Sequence, residues 1–406
     1  MRVAIVHERL DVVGGAERVV LALHRIYPQA PVYTSFVDRE GLARDGDLHP
    51  EFQRMEIRTS FMQRLPRWMK RRSDRLLPLY MFAFQGFDLS EYDVVISSSY
   101  VAAKSVLTSA ETCHICFCHT PMRYAWEMFP QYIGSMRNPF TRGAAHLFLQ
   151  YFRIWDLQTA YNVNYFISTS DVVRRRIRKH YGRDSYVIHP PVETHRFRVS
   201  SAPKDYYVAI SRLVPYKRID LAVEAFNRLG RKLVVIGDGR DFARIRAQAG
   251  PNIAVLGWQP DAVVAQYLSE ARALIFPGEE DFGILPVEAQ AAGTPVIAFG
   301  RGGALETVVH GRTGLFFPEQ KAEALMEAVR QFECLTWDRQ AIAEHARQFD
   351  EAVFQRKIQQ YVEQCYREFR ADRRVLPPLA QDSPAFALEA DDLAIAAAHV
   401  EQSRIG

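Results

Sequence analysis

Short apolar runs punctuate this chain, and the segments between them carry apolar residues at helical spacing. Runs at 3–6, 92–98, 113–118 and 165–170 read as strands in the first half. In the second half the alternation is regular. Strands are predicted at 206–211, 232–236, 253–256, 273–276 and 295–298, and helices at 217–229, 240–248, 261–270 and 286–292. Continuous apolar strands alternating with amphipathic helices imply parallel sheets covered on both faces. VYTSFV at 32–37 is a further strand candidate, residues 140–164 a long helix, and 319–332 and 349–369 two more. The Pro190-Pro191 break suggests a linker over 190–204. The expected organisation is a first domain over 1–195, a second over 200–348, a long helix at 349–370, and a mostly disordered tail at 371–406.

Two strand-to-helix junctions carry candidate chemistry. After the first strand come Gly14 and Gly15, then a helix with Val19, Val20, Leu23 and Ile26 on one face. Strand, paired glycines and helix can cradle a phosphate, but a third glycine at dinucleotide-fingerprint spacing is absent. The second junction is FPGEEDFGILPVEAQAAGT at 276–294. Pro277 and Gly278 break the strand, three acids follow, and the helical pattern begins after Gly283. Glu280 lies in the loop and Glu288 about one turn inside the helix. Two carboxylates so spaced can hydrogen-bond sugar rings on either side of a diphosphate, while the amides of Gly283, Ile284 and Leu285 face an anion or a sugar hydroxyl.

Composition narrows the class. With 48% hydrophobic and 24% charged residues the 406-residue chain is ordinary globular protein, long enough for two domains. The formal charge of +4 suits an anionic ligand and is too small to argue for nucleic acid. No apolar run approaches the ~20 residues of a membrane span. Five cysteines, three of them in CHICFCH at 113–119, read as buried free thiols of a reducing compartment rather than as a metal site, because strand alternation divides Cys113 from Cys116 and Cys118.

The 276–294 stretch resembles the donor-site signature of family 4 glycosyltransferases, retaining enzymes of the GT-B fold, in which two glutamates flank seven residues around a Phe-Gly pair, here Phe282-Gly283. Upstream, ISRLVPYKRID at 210–220 is similar to the same family's Arg…Lys diphosphate motif, with VVIGDG at 234–239, including Gly237, between the two. HTPMRYAWE at 119–127 resembles the acceptor-side motif of lipid-linked mannosyltransferases in the family.

The resemblance implies two Rossmann-like, doubly wound parallel-sheet domains facing a cleft, with the C-terminal helix crossing back to the first. It implies a nucleotide-sugar donor, GDP-mannose before UDP-glucose, and a polyprenyl-diphosphate-linked acceptor in bacterial surface polysaccharide synthesis. Arg212 and Lys217 would clamp the diphosphate in place of a metal ion, so no cofactor is expected. His119 would stand against the donor sugar, with Glu280 at the hexose, Glu288 at the ribose, and Arg123 and Tyr124 lining the cleft. Residues 61–84 interleave Arg64, Arg67, Lys70, Arg71 and Arg72 with Trp68 and other apolar residues. This predicts a peripheral attachment to the anionic inner face of the cytoplasmic membrane, the alternative being a basic surface over a packed helix. An oxidoreductase on paired Rossmann-like domains is disfavoured by the incomplete glycine loops. A non-catalytic nucleotide-sugar-binding protein is disfavoured by the full set of donor residues.

Overall fold

The structure, a computed structural model, describes residues 1–43, 50–70, 76–134, 136 and 138–372. The first sheet has seven parallel strands: β1 (Val3–His7), β2 (Val32–Thr34), β3 (Ile57–Thr59), β4 (Val94–Ser99), β5 (Cys113–Cys118), β6 (Tyr165–Ser168) and β7 (Ser185–Val187). Their order is β3-β2-β1-β4-β5-β6-β7. The second has six, all parallel: β8 (Tyr207–Ile210), β9 (Leu233–Ile236), β10 (Ile253–Gly257), β11 (Leu274–Phe276), β12 (Val296–Phe299) and β13 (Gly314–Phe317). Their order is β10-β9-β8-β11-β12-β13. In each sheet the chain runs outward one way from its first strand, then returns to that strand's other side. This is the doubly wound topology, and its reversal opens a crevice at the carboxyl ends of the two central strands.

The central strands are buried from end to end, as parallel strands sandwiched between helices must be. Alternate residues of β8 divide between two cores. Tyr207 and Ala209 face one with Phe226 and Leu325, and Val208 faces the other with Leu274 and Ala289. β4 departs from the apolar rule at its end, where Ser97, Ser98 and Ser99 are all buried. Buried hydroxyls need partners: Ser97 bonds His114 within β5, and Ser98 and Ser99 bond His7, His119 and Glu8 at the crevice.

Several expectations change in detail. Only Val32–Thr34 of the VYTSFV stretch is strand. Gly14 is the N-cap and Gly15 the first residue of the helix Gly15–Ile26, so the paired glycines make a helix start rather than an open loop. The predicted helix from 217 is a short 3-10 turn, Pro215–Lys217, then Arg218 in the left-handed region, then Ile219–Leu229. That left-handed residue, at φ 54°, costs about 1 kcal/mol, and it separates the Lys217 turn from the helix proper. The C-terminal helix spans Glu351–Asp372. Its early part lies on the first domain: Phe354 meets Phe117 of β5 edge-on at 5.7 Å, and Tyr361 stacks on Tyr186 of β7 at 4.9 Å. Residues 373–406, most of the expected tail, lie outside the described residues, as do Arg71 and Arg72.

Candidate active site

The 276–294 junction folds as its pattern demands. β11 ends at Phe276, Gly283 caps the helix Ile284–Ala291 from the left-handed region, and the acids occupy the loop between. Phe282 is buried and stacks on His189 at 5.2 Å, which anchors the loop. The Glu280 carbonyl accepts the Gly303 N–H at 2.8 Å. Ile284 reaches the first domain, since a Cβ on Gly15 would stand 2.7 Å from its Cδ1, so a larger residue there would push the Ile284 side chain aside. Leu285 packs in the core below the loop.

Three acids of this region are held by cations. Glu280 is ion-paired with Lys217 of the β8 turn. Glu288 receives Arg18 Nη1 at 2.6 Å, and Arg18 Nη2 lies 3.2 Å from Asp261. Asp281 pairs with Arg176, stands 3.7 Å from Arg123, and accepts the Ser170 hydroxyl on its carbonyl at 2.5 Å. Arg18, Arg123, Arg176 and Ser170 all belong to the first domain, so the acids of the second domain close the cleft. Glu306 adds to this closure by accepting the Asp171 N–H at 2.9 Å.

Arg212 and Lys217 are brought together through Tyr216. The Arg212 guanidinium donates to the Tyr216 hydroxyl at 2.9 Å, Lys217 Nζ lies 5.4 Å from the ring centroid, and the Arg123 guanidinium lies 5.9 Å from it. Three cations from two domains thus gather at one tyrosine, Arg123 and Lys217 near its ring face and Arg212 at its hydroxyl. Gly237 stands behind this turn. A Cβ there would meet the Ser211 carbonyl at 1.8 Å, so the glycine lets the end of β9 support the Arg212 segment.

On the opposite wall, His119 directly follows β5. Its Nε2 is 2.9 Å from Ser98 Oγ at the end of β4. Burial, then the neighbouring His7, push the His119 pKa down to about 3, so the ring is neutral. Beneath it Glu8 fills the amide nest at the end of β4. One carboxylate oxygen accepts the N–H groups of Tyr100, Val101, Ala102 and Ala103 at 2.7–3.1 Å, and the Ser99 hydroxyl at 3.0 Å.

Some expected site residues go elsewhere. Tyr124 is exposed and packs on Tyr132, apart from its neighbour Arg123. The basic segment is not one amphipathic helix but Phe61–Arg64, Arg67–Lys70 and Leu77–Ala83. Lys70 is buried, donating to the Gln63 carbonyl at 3.2 Å beside the Phe36 ring, and Arg67 is neutralised by Asp38 and Glu40. Lys70 is thus withdrawn from the surface, while Arg67 stays exposed beside its two acids. Arg64 and Trp68 remain exposed. Arg18, Tyr216, Asp281 and Arg176 were not singled out from sequence. Arg18 follows the paired glycines by one turn of helix, which is the signal that was there to read.

The family of glycosyl transferases group 1 matches residues 192–349, and Glycosyltransferase Family 4 matches residues 13–196. With two doubly wound domains closing on a charged cleft, these matches define a glycosyltransferase of the GT-B type. Between them the two glycosyltransferase models match residues 13–349 of the chain. Among its relatives is the alpha-1,3/1,6-mannosyltransferase alg2 of Schizosaccharomyces pombe, 22% identical over 78% of this chain and 71% of the relative. Another is a GDP-mannose-dependent alpha-(1-6)-phosphatidylinositol monomannoside mannosyltransferase of Mycobacterium tuberculosis, 31% identical over 33% of this chain and 39% of the relative. The crystal structure of Anabaena HepE in complex with UDP aligns over 90% of this chain and 100% of that one, with a TM-score of 0.64 at 16% identity.

Proposed function

We propose that this chain transfers mannose from GDP-mannose to a polyprenyl-diphosphate-linked oligosaccharide, with retention of anomeric configuration and without a metal ion. The observation that carries the reading is the gathering of Arg123, Arg212 and Lys217 about Tyr216, beside the amino end of the helix Ile284–Ala291. A departing diphosphate needs fixed positive charge, and a preorganised cluster supplies it without reorganisation. Arg offers a planar fork and Lys a point charge, and together they take the part of a divalent cation.

The same charges hold one another across the site, as Lys217 with Glu280 and Arg18 with Glu288. A nucleotide-sugar exchanges these partners. Its diphosphate takes Lys217, its hexose hydroxyls donate to Glu280, and its ribose hydroxyls donate to Glu288. His119 meets the hexose from the other wall. By the family resemblance the acceptor hydroxyl attacks on the face the diphosphate leaves, forming the new C1–O bond as the old one breaks, and its proton passes to a leaving phosphate oxygen. The mannosyltransferase names of two relatives favour mannose and GDP; UDP in the aligned HepE structure keeps UDP-glucose as the alternative.

Peripheral attachment to a membrane is supported by the exposed Arg64 and Trp68 of the basic segment and by the helix Pro139–Ala160. Its inner face packs Leu149, Phe152 and Trp155 into the first domain, yet its outer face is also apolar. Phe140 is 86% exposed and Leu147 73%, with Tyr151 and Ile154 exposed beside them. An apolar stripe along an otherwise seated helix suits the plane of a bilayer surface. Among the described residues no helix is long and apolar enough to cross a membrane, so the attachment proposed is peripheral.

A mass-spectrometric donor screen on a lipid-linked acceptor, run with and without EDTA, tests the reaction. Mannose transfer from GDP-mannose that persists in EDTA is the expected result. Transfer from UDP-glucose alone, or activity restored only by added metal, overturns the donor or the clamp. Flotation with anionic vesicles tests the surface: paired Leu147→Glu and Ile154→Glu changes should abolish it, and unaltered binding removes this helix from the reading.

A further inference from the structure

The mechanism above uses His119 and leaves unexplained the buried polar groups behind it. Those groups form one continuous chain of hydrogen bonds at the switch point of the first sheet. Glu17 Oε2 accepts the Gly14 N–H at 2.9 Å, and Glu17 Oε1 lies 3.4 Å from His7 Nε2. His7 Nδ1 lies 3.1 Å from Ser98 Oγ, which in turn lies 2.9 Å from His119 Nε2. His7 and Ser98 are fully buried and Glu17 nearly so. The three positioning groups come from the end of β1, the end of β4 and the first turn of the following helix, elements held rigidly by parallel pairing from Val3↔Val94 to His7↔Ser98.

The sense of each bond follows from the one before it. A carboxylate only accepts, and Glu17 cannot turn, because its other oxygen is held by a backbone N–H. It therefore accepts a hydrogen bond from His7 Nε2–H. In the form of His7 that carries a single ring proton, that bond leaves the lone pair on Nδ1, which accepts from the Ser98 hydroxyl. With its proton so directed, Ser98 Oγ offers a lone pair to His119 and receives its Nε2–H. One tautomer of His119 satisfies the whole chain.

We propose that Glu17, His7 and Ser98 are positioning residues that hold His119 as the Nε2–H tautomer and turn its Nδ1 lone pair towards a hydroxyl of the bound sugar. Nε2 is bonded inward, so Nδ1 lies on the opposite, outward edge of the ring. Tyr100 and Phe117 flank that ring edge-on, with centroids 6.1 and 5.3 Å away, and hold its tilt. His119 thus discriminates by accepting: a sugar hydroxyl donates to it, and a position bearing no hydroxyl leaves the lone pair unpaired. This rests on the transferase reading for the identity of the ligand, and on geometry alone for the tautomer.

Ring protons are read by nitrogen NMR on the full-length chain labelled with ¹⁵N-histidine, with His119 assigned by its loss in His119→Gln. The wild type should show the Nε2–H form. Glu17→Gln keeps shape but presents an amide N–H to His7 while its oxygen holds the Gly14 N–H, so the relay reverses and His119 should become Nδ1–H. Ser98→Ala cuts the relay and should give mixed tautomers, whereas Ser98→Thr keeps the hydroxyl and the wild-type form. An unchanged His119 signal in both Glu17→Gln and Ser98→Ala overturns the relay, whether or not the chain transfers any sugar. In turnover, Glu17→Gln should lower kcat at least about tenfold, with GDP affinity by calorimetry within about twofold because GDP carries no hexose. A reversed tautomer with unaltered kcat overturns the presentation of Nδ1 to the sugar. If no nucleotide-sugar is used by the wild type, the donor reading fails and the NMR arm still decides the relay.

Discussion

Arg18 Nη1 lies 2.6 Å from Glu288 Oε1, joining the first helix of one domain to the helix Ile284–Ala291 of the other. Each partner is largely shielded from water, and Arg18 also touches Asp261, which Arg196 approaches at 2.6 Å. This pair occupies a carboxylate that the proposed reaction assigns to the ribose, so cleft closure and nucleotide binding compete for one group.

The competition makes the two partners distinguishable. Glu288→Gln should weaken GDP binding about tenfold, the loss of one charged hydrogen bond. Arg18→Ala frees Glu288 for the ribose and should bind GDP no more weakly than wild type. Calorimetry of GDP with both variants checks this; equal weakening in both contradicts the competition.

Lys217 and Glu280 should separate by the step they affect. Lys217→Ala removes positive charge from the leaving diphosphate and should cut turnover at least about tenfold with the fold intact. Glu280→Gln should leave GDP affinity near wild type and slow turnover, since hexose contacts tighten as the ring flattens in the transition state. Steady-state kinetics at saturating donor, beside GDP calorimetry, give both readouts. Unchanged turnover in Lys217→Ala would remove it from the clamp.

Acid should destabilise the fold through its buried histidines. Burial pushes His119 down to about 3 and His114 to about 4. Both folded values lie below the ordinary 6.5, so below pH 6.5 the unfolded chain binds more protons and stability falls as pH drops. Each group contributes a slope of up to about 1.4 kcal/mol per pH unit there. Urea denaturation between pH 7 and 5 should show this decline, and His119→Asn should flatten it. An identical slope in the variant would mean that His119 titrates normally.

A buried cluster in the first domain should dominate its stability. Lys104 Nζ contacts Asp156 Oδ1 at 2.6 Å, the Asp156 carbonyl at 3.0 Å and Thr159 Oγ1 at 2.7 Å. Tyr181 and Trp126 donate to the same carboxylate at 3.0 and 2.8 Å. Removing one member of a buried pair strands the other charge and costs about 3–5 kcal/mol. Lys104→Met should therefore lose that much in urea, and a loss below about 1 kcal/mol would show that water reaches Asp156.

The architecture was open to sequence reading where burial was greatest. Strands β8 to β12 are apolar on both faces, so their runs locate them to within a residue or so. β3 and β7 escaped because they are three-residue edge strands, half exposed, with no sustained period to detect. Glu280 and Glu288 could be assigned to loop and helix from Pro, Gly and periodicity. Arg18 could not be assigned to Glu288, because 270 positions separate them and only folding unites them. Lys70 misled for a related reason. A charge within a basic run looks solvated, yet tertiary packing against Phe36 and the Gln63 carbonyl decided otherwise.

Two doubly wound sheets offer two mouths of the same kind, each at a switch point where phosphates bind in such folds. The Glu8 carboxylate stoppers one of them, with four amide N–H groups already engaged by its oxygen. An incoming anion meets negative charge at the first mouth and three cations at the second. The molecule thereby has a polarity, and a nucleotide-sugar entering the cleft has one way round to lie.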